Sequence, residues 1–140
     1  MVKPHRYAED AKPLLKWIAA LLLLPSLAHA QHCEDPQVQH EMNACAQIDW
    51  EEADAELNAA YKQARAAMRR IDALQPANEV GAVIALRDAQ RAWITYRDAA
   101  CEAESILFRG GSMEPLILAS CMADLTRRRT NDLRNLAEYE

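Results

Sequence analysis

The chain has 140 residues, with 16 Lys and Arg against 21 Asp and Glu, a formal charge of −5 and 51% hydrophobic residues. Such an acidic balance disfavours a nucleic-acid binder, which would present a basic surface. The length allows one domain with a modest core.

The first thirty residues read as an export signal. Lys3, His5, Arg6, Lys12 and Lys16 make a basic start, Trp17 to Leu24 is a short apolar run, Pro25 breaks it, and Ala28-His29-Ala30 fits a small-x-small peptidase site. That order of features predicts a signal peptide over residues 1–30, cleaved after Ala30. About ten apolar residues fall short of the roughly 20 needed to cross a bilayer, so no membrane span is expected once the signal is removed. A lipid anchor on Cys33 is disfavoured by Ala30-Gln31-His32 before it. The domain would then be residues 31–140, periplasmic or secreted. Four basic and two acidic residues leave with the signal, so 12 face 19 and the balance becomes −7.

All four cysteines, Cys33, Cys45, Cys101 and Cys121, lie in this remaining part. An even count in a small exported domain points to two disulfides. Zinc is the competing reading, with His32 and His40 nearby, but the spacing matches no usual zinc pattern. No metal or other cofactor is expected.

From residue 38 onward the pattern is helical throughout, rich in alanine and without strand-like alternation. The first helix is expected from about Val38 to Asp72, with a stripe at Met42, Cys45 or Ala46, Trp50, Ala53, Leu57, Tyr61, Ala64, Met68 and Ile71. Gln75-Pro76-Ala77-Asn78 ends it. The second is expected from about Glu79 to Leu107, with Gly81 in its first turn and a stripe at Val80, Val83, Leu86, Ala89 or Gln90, Trp93, Tyr96 and Ala100. Arg109-Gly110-Gly111-Ser112 is the clearest turn, with Ser112 as a candidate helix cap and Pro115 in the first turn that follows. The third is expected from about Met113 to Leu136, with a stripe at Ile117 or Leu118, Cys121, Leu125, Arg128 or Arg129, Leu133 and Leu136.

Short connections make consecutive helices antiparallel neighbours. The expected fold is therefore all-α, an elongated antiparallel three-helix arrangement with two disulfides. Cys101 and Cys121 lie ten residues either side of Gly111, so an antiparallel pair brings them together. Cys33 with Cys45 is what remains, and a folded-back leading segment can make that reach.

Candidate chemistry is sparse. Within residues 31–140 histidine is confined to the leading segment, at His32 and His40, and no nucleophile–base constellation or phosphate-cradling loop is present in the sequence, so an enzyme is not expected. The acids Asp49, Glu51, Glu52, Asp54 and Glu56 read first as a solvated helix face, and more pointedly as a surface for a basic partner. Asn43, Asn58, Gln90, Arg97, Asp98 and Arg129 sit on or beside the apolar stripes. Since buried polar groups must be paired, they suggest a network between helices, with Arg97 or Arg129 meeting an acid such as Asp54. Trp50, Tyr61, Trp93 and Tyr96 read as core. The loop Arg109, Gly110, Gly111 and Ser112, compact and near a disulfide, is either a plain connector or an insert for a partner's cleft.

Glu41-Met42-Asn43-Ala44-Cys45-Ala46 with Trp50, Ala53-Asp54, Leu57-Asn58 and Tyr61 resembles the opening of the LprI-like lysozyme inhibitor family. Ala89-Gln90-Arg91-Ala92-Trp93 and Tyr96-Arg97-Asp98-Ala99-Ala100-Cys101 resemble its middle, and Gly111-Ser112, Pro115, Cys121, Leu125-Thr126 and Arg129 its end. Trp50 stands where a tyrosine is common, and Val38 where a capping threonine is common. The resemblance implies an exported helical domain and inhibition of lysozyme as its role. A basic lysozyme would be a suitable partner for a domain of charge −7. The alternative is a structural or interaction module of the periplasm without lysozyme activity. A long exposed helix also leaves a homodimer open.

Overall fold

The computed structural model describes residues 33–76 and 81–139. The expected export signal, His32, and the part of the first connection at residues 77–80 lie outside them. Three helices account for most of the described chain: α1, Gln39–Asp72; α2, Ala82–Ser105; and α3, Glu114–Glu138. A single 3-10 turn, Ile106–Phe108, follows α2. The domain is all-α, with bridges joining Cys33 to Cys45 and Cys101 to Cys121.

α2 runs antiparallel to both of its neighbours, as short connections require. The dominant packing, however, is between α1 and α3, which are not consecutive and run parallel. Asp49 pairs with Arg127 and Glu56 with Arg134, both 78 residues apart, so two turns along α1 match two turns along α3.

The seam explains this preference. On α1 the buried positions are Ala46, Ala53, Leu57, Ala60, Ala64 and Ala67; on α3 they are Ala119, Met122, Ala123, Thr126, Thr130 and Leu133. Four of the alanines on α1 recur every seven residues, the repeat that keeps a seam facing its partner. Small side chains at the contact let two helices approach closely. Trp50, Tyr61 and Met68, expected in the stripe, lie half-buried beside it.

On α3 Leu133 of the expected stripe is buried, but before it the buried face sits one position along, because Thr126 and Thr130 are taken inside. Their hydroxyls have partners: Thr130 Oγ1 donates to the Thr126 carbonyl at 2.9 Å, and Thr126 Oγ1 accepts from Arg97 at 3.4 Å. A hydroxyl so engaged can be buried without the penalty of an orphaned group. A similar inversion occurs on α2, where Arg97 is buried and Tyr96 is 62% exposed. The buried face of α2 is Leu86, Gln90, Arg97, Cys101 and Ser105.

Two helix starts are capped otherwise than expected. α2 begins at Ala82 with Gly81 as its N-cap residue. The cap is tertiary: the Asp72 carboxylate, at the last residue of α1, accepts from the backbone N–H groups of Ala82 and, at 3.2 Å, Val83. A negative group at a helix N-terminus satisfies free donors and complements the helix dipole. A Cβ on Gly81 would stand 3.2 Å from that carboxylate. α3 begins at Glu114, and the Ser112 side chain does not cap it. Instead Glu114 reaches back to accept from the Gly110 N–H at 2.8 Å, closing the turn on itself.

Leu57, Ala60, Ala64, Leu86 and Leu133 form the apolar core, with Tyr61, Met68, Trp93 and Leu136 packed against it. It occupies the half of the bundle away from the disulfides.

Candidate functional site

The polar residues read from the sequence fall into three separate places. Arg97 is the centre of the first. Its side chain is only 9% exposed, and its guanidinium lies 5.2 Å from the centre of the Trp93 ring and 5.8 Å from that of Trp50. It pairs with Asp98 at 2.8 Å, lies 3.6 Å from Asp54, and donates to Thr126. Arginine is the cation suited to this position, because its planar group stacks on rings while its edge donates. The node joins all three helices. The Trp50 indole N–H beside it is buried and has no hydrogen-bond partner among the described residues.

Asn58 and Gln90 extend the node. Asn58 donates to Asp54 at 2.9 Å, and Arg129 donates to Gln90 at 3.0 Å. Asp54, Asn58, Tyr61, Arg91 and Arg97 also line a groove of about 430 Å³ between α1 and α2. Asn43 stands apart from this network. It donates to the Ser112 carbonyl at 3.0 Å and so ties the start of α1 to the loop before α3.

The second place is the acidic stretch of α1, whose members point in different directions. Asp49 and Glu56 face α3 and pair with Arg127 and Arg134. Asp54 faces α2 and the Arg97 node. Glu51 accepts from Gln47 at 2.8 Å along the helix surface, and Glu52 is exposed. Helical geometry accounts for the division, since successive residues turn by about 100° and no single face holds all five.

The third place is the end of the bundle that carries both bridges. Gly110 has a φ of +78°, the left-handed conformation that glycine adopts without strain. The Gly111 N–H donates to the Phe108 carbonyl at 2.9 Å, and Arg109 lies 3.8 Å from Glu102. The turn is thus held by its own backbone bonds, by Glu114, by Asn43 and by the nearby Cys101–Cys121 bridge.

Immediately before it, Ile106, Leu107 and Phe108 form the 3-10 turn with all three side chains exposed, Leu107 at 82%. Met113, just after the turn, is exposed too. Reading the second helix as continuing to Leu107 hid this feature. The signal was present: three consecutive large apolar residues cannot share one helical face.

Among the described residues no group of three or more His, Cys, Asp or Glu is placed to hold a metal, and no helix is long and apolar enough to cross a membrane.

Comparison with known proteins agrees with the architecture and with the sequence resemblance. The chain is similar to the crystal structure of a DUF1311 family protein from Pseudomonas putida KT2440, with a TM-score of 0.63 and 27% identity over 76% of this chain and 98% of that one. It is 43% identical over 128 residues to an uncharacterized protein of Rhizobium meliloti (strain 1021), covering 86% of this chain and 92% of the relative. The family model described as lysozyme inhibitor LprI matches residues 30–133, from before the first cysteine to the end of the α3 seam. On that match, and with four paired cysteines on a three-helix frame, the chain belongs to the LprI lysozyme inhibitor family.

Proposed function

We propose that residues 31–140 act outside the cytoplasm, in the periplasm or secreted, as a proteinaceous inhibitor of lysozyme, and that residues 1–30 are the signal that sends them there. The family match over residues 30–133 carries this reading. Two physical features support it. Both disulfides suit an oxidising compartment. A domain charge of −7 speeds encounter with a basic enzyme through long-range attraction.

Inhibition here means occupying a cleft. Muramidases work with carboxylates set on either side of the scissile bond, so a stiff projection seated between them excludes substrate without any chemistry of its own. The Arg109-Gly110-Gly111-Ser112 turn is the projection we assign, with Arg109 the cation available to those carboxylates. Glu51 and Glu52, which face outward, contribute to steering; Asp49, Asp54 and Glu56 act mainly as links between helices.

The test is turnover of peptidoglycan by a basic lysozyme in the presence of micromolar residues 31–140 with disulfides intact. Turnover should fall at low salt, recover as salt rises through the range where the Debye length drops below about 10 Å, and be unaffected by reduced and alkylated protein. Unchanged turnover at low salt would reject an inhibitory role and favour an interaction module of the envelope.

A further inference from the structure

The two segments closed by the bridges, residues 33–45 and 101–121, meet at one end of the bundle through the Asn43–Ser112 bond. Together they hold six carboxylates and one basic residue, Arg109, so their balance is −5 of the −7 carried by residues 31–140. The carboxylates are Glu34, Asp35, Glu41, Glu102, Glu104 and Glu114. Ile106, Leu107, Phe108 and Met113 are exposed at this same end. The negative charge of the domain is thus concentrated at the end where four large apolar residues are exposed together, while the acids of mid-α1 are largely matched by arginines.

From this juxtaposition we infer that the bridged end is the docking surface, with Leu107 as an apolar plug inside an acidic rim, and that its occupant is a basic protein with an apolar pocket. This deepens the inhibitory reading and rests on it for the identity of the partner. Large apolar side chains left in water at a stiff turn are the anchors that protein interfaces use, and a polar rim around them supplies orientation and encounter rate. The charge selects among occupants. A second copy would set one acidic rim against another. An anionic lipid surface would be repelled by the same six carboxylates. A basic protein gains from both parts of the surface.

The experiment compares wild-type residues 31–140, disulfides intact, with Leu107→Asp and with Glu41→Lys/Glu104→Lys. Binding and peptidoglycan turnover are measured with purified egg-white, goose-type and phage lysozymes, and sedimentation reports self-association. Leu107 is on the surface, so its variant should keep wild-type helicity and melting temperature. It should bind at least about 30-fold more weakly, as expected for loss of an interface anchor. The double lysine variant should associate about tenfold more slowly and lose most of its salt dependence. Leu107→Asp binding and inhibiting like wild type would overturn the docking surface and leave the inhibitory role standing. Binding that Leu107→Asp abolishes, with turnover unchanged by wild type, would uphold the surface and overturn inhibition. No binding to any of the three enzymes would overturn both. A wild-type dimer that Leu107→Asp dissolves would assign the surface to a second copy and overturn the proposal.

Discussion

In the half of the bundle away from the bridges, Leu57, Leu86 and Leu133 meet inside a seam of alanines, with Tyr61, Met68 and Trp93 covering the edges. In the bridged half the buried apolar groups are mostly small, Ala46, Ala119, Ala123 and the Cys101 side chain beside the single larger Met122, while Ile106, Leu107 and Phe108 face outward. One half is held by burial. The other adds to a thinner core two covalent links, of 12 and 20 residues' separation. A domain of this size has a small core to draw on. Crosslinking one end lessens the burial that end needs, and is compatible with large hydrophobic residues left exposed there.

Substitutions in the two halves should therefore fail differently. Leu133→Ala, at a fully buried position in the distal core, should cost about 3–4 kcal/mol in denaturant unfolding, through lost burial and the cavity left behind. A loss below about 1 kcal/mol would mean that this core contributes little. Asp72→Ala should cost less, about 1–2 kcal/mol, by releasing the N–H groups of Ala82 and Val83. Its effect should show first as faster amide exchange in the first turn of α2. Leu107→Asp should change stability by no more than about 0.5 kcal/mol, because a surface residue leaves no cavity behind.

Much of this arrangement is legible in the amino-acid sequence, and the departures have a common cause. Helix number, approximate bounds and both cysteine pairings follow from apolar periodicity and from distance to the Gly110-Gly111 turn. Stripes assigned to large apolar residues miss positions where a polar side chain is buried with its partners. Arg97 goes inside because Trp50, Trp93, Asp54, Asp98 and Thr126 surround it, and those neighbours come from three helices. Thr126 and Thr130 go inside because each hydroxyl finds a partner. None of these partnerships can be read from spacing along one helix. The parallel α1–α3 seam is similarly hidden, since connection length speaks only for consecutive helices. For the site, the glycine turn is visible in the sequence, as is the acidic stretch of α1. What is not visible is that arginines of α2 and α3 engage Asp49, Asp54 and Glu56, leaving the charge excess at the bridged end.

The most direct test of crosslinking in place of burial is amide hydrogen exchange on residues 31–140 with all four cysteines replaced by serine. Each bridge is worth about 3 kcal/mol by loop closure, so the bridged end should open separately from the rest. Amides of residues 46–50 in α1 and 117–121 in α3 should exchange about 100-fold faster than those of residues 60–64 and 130–134 in the same helices, a gap of nearly 3 kcal/mol in opening free energy. Equal protection along both helices in the serine variant would contradict it, and would mean that packing alone secures the end that carries Leu107.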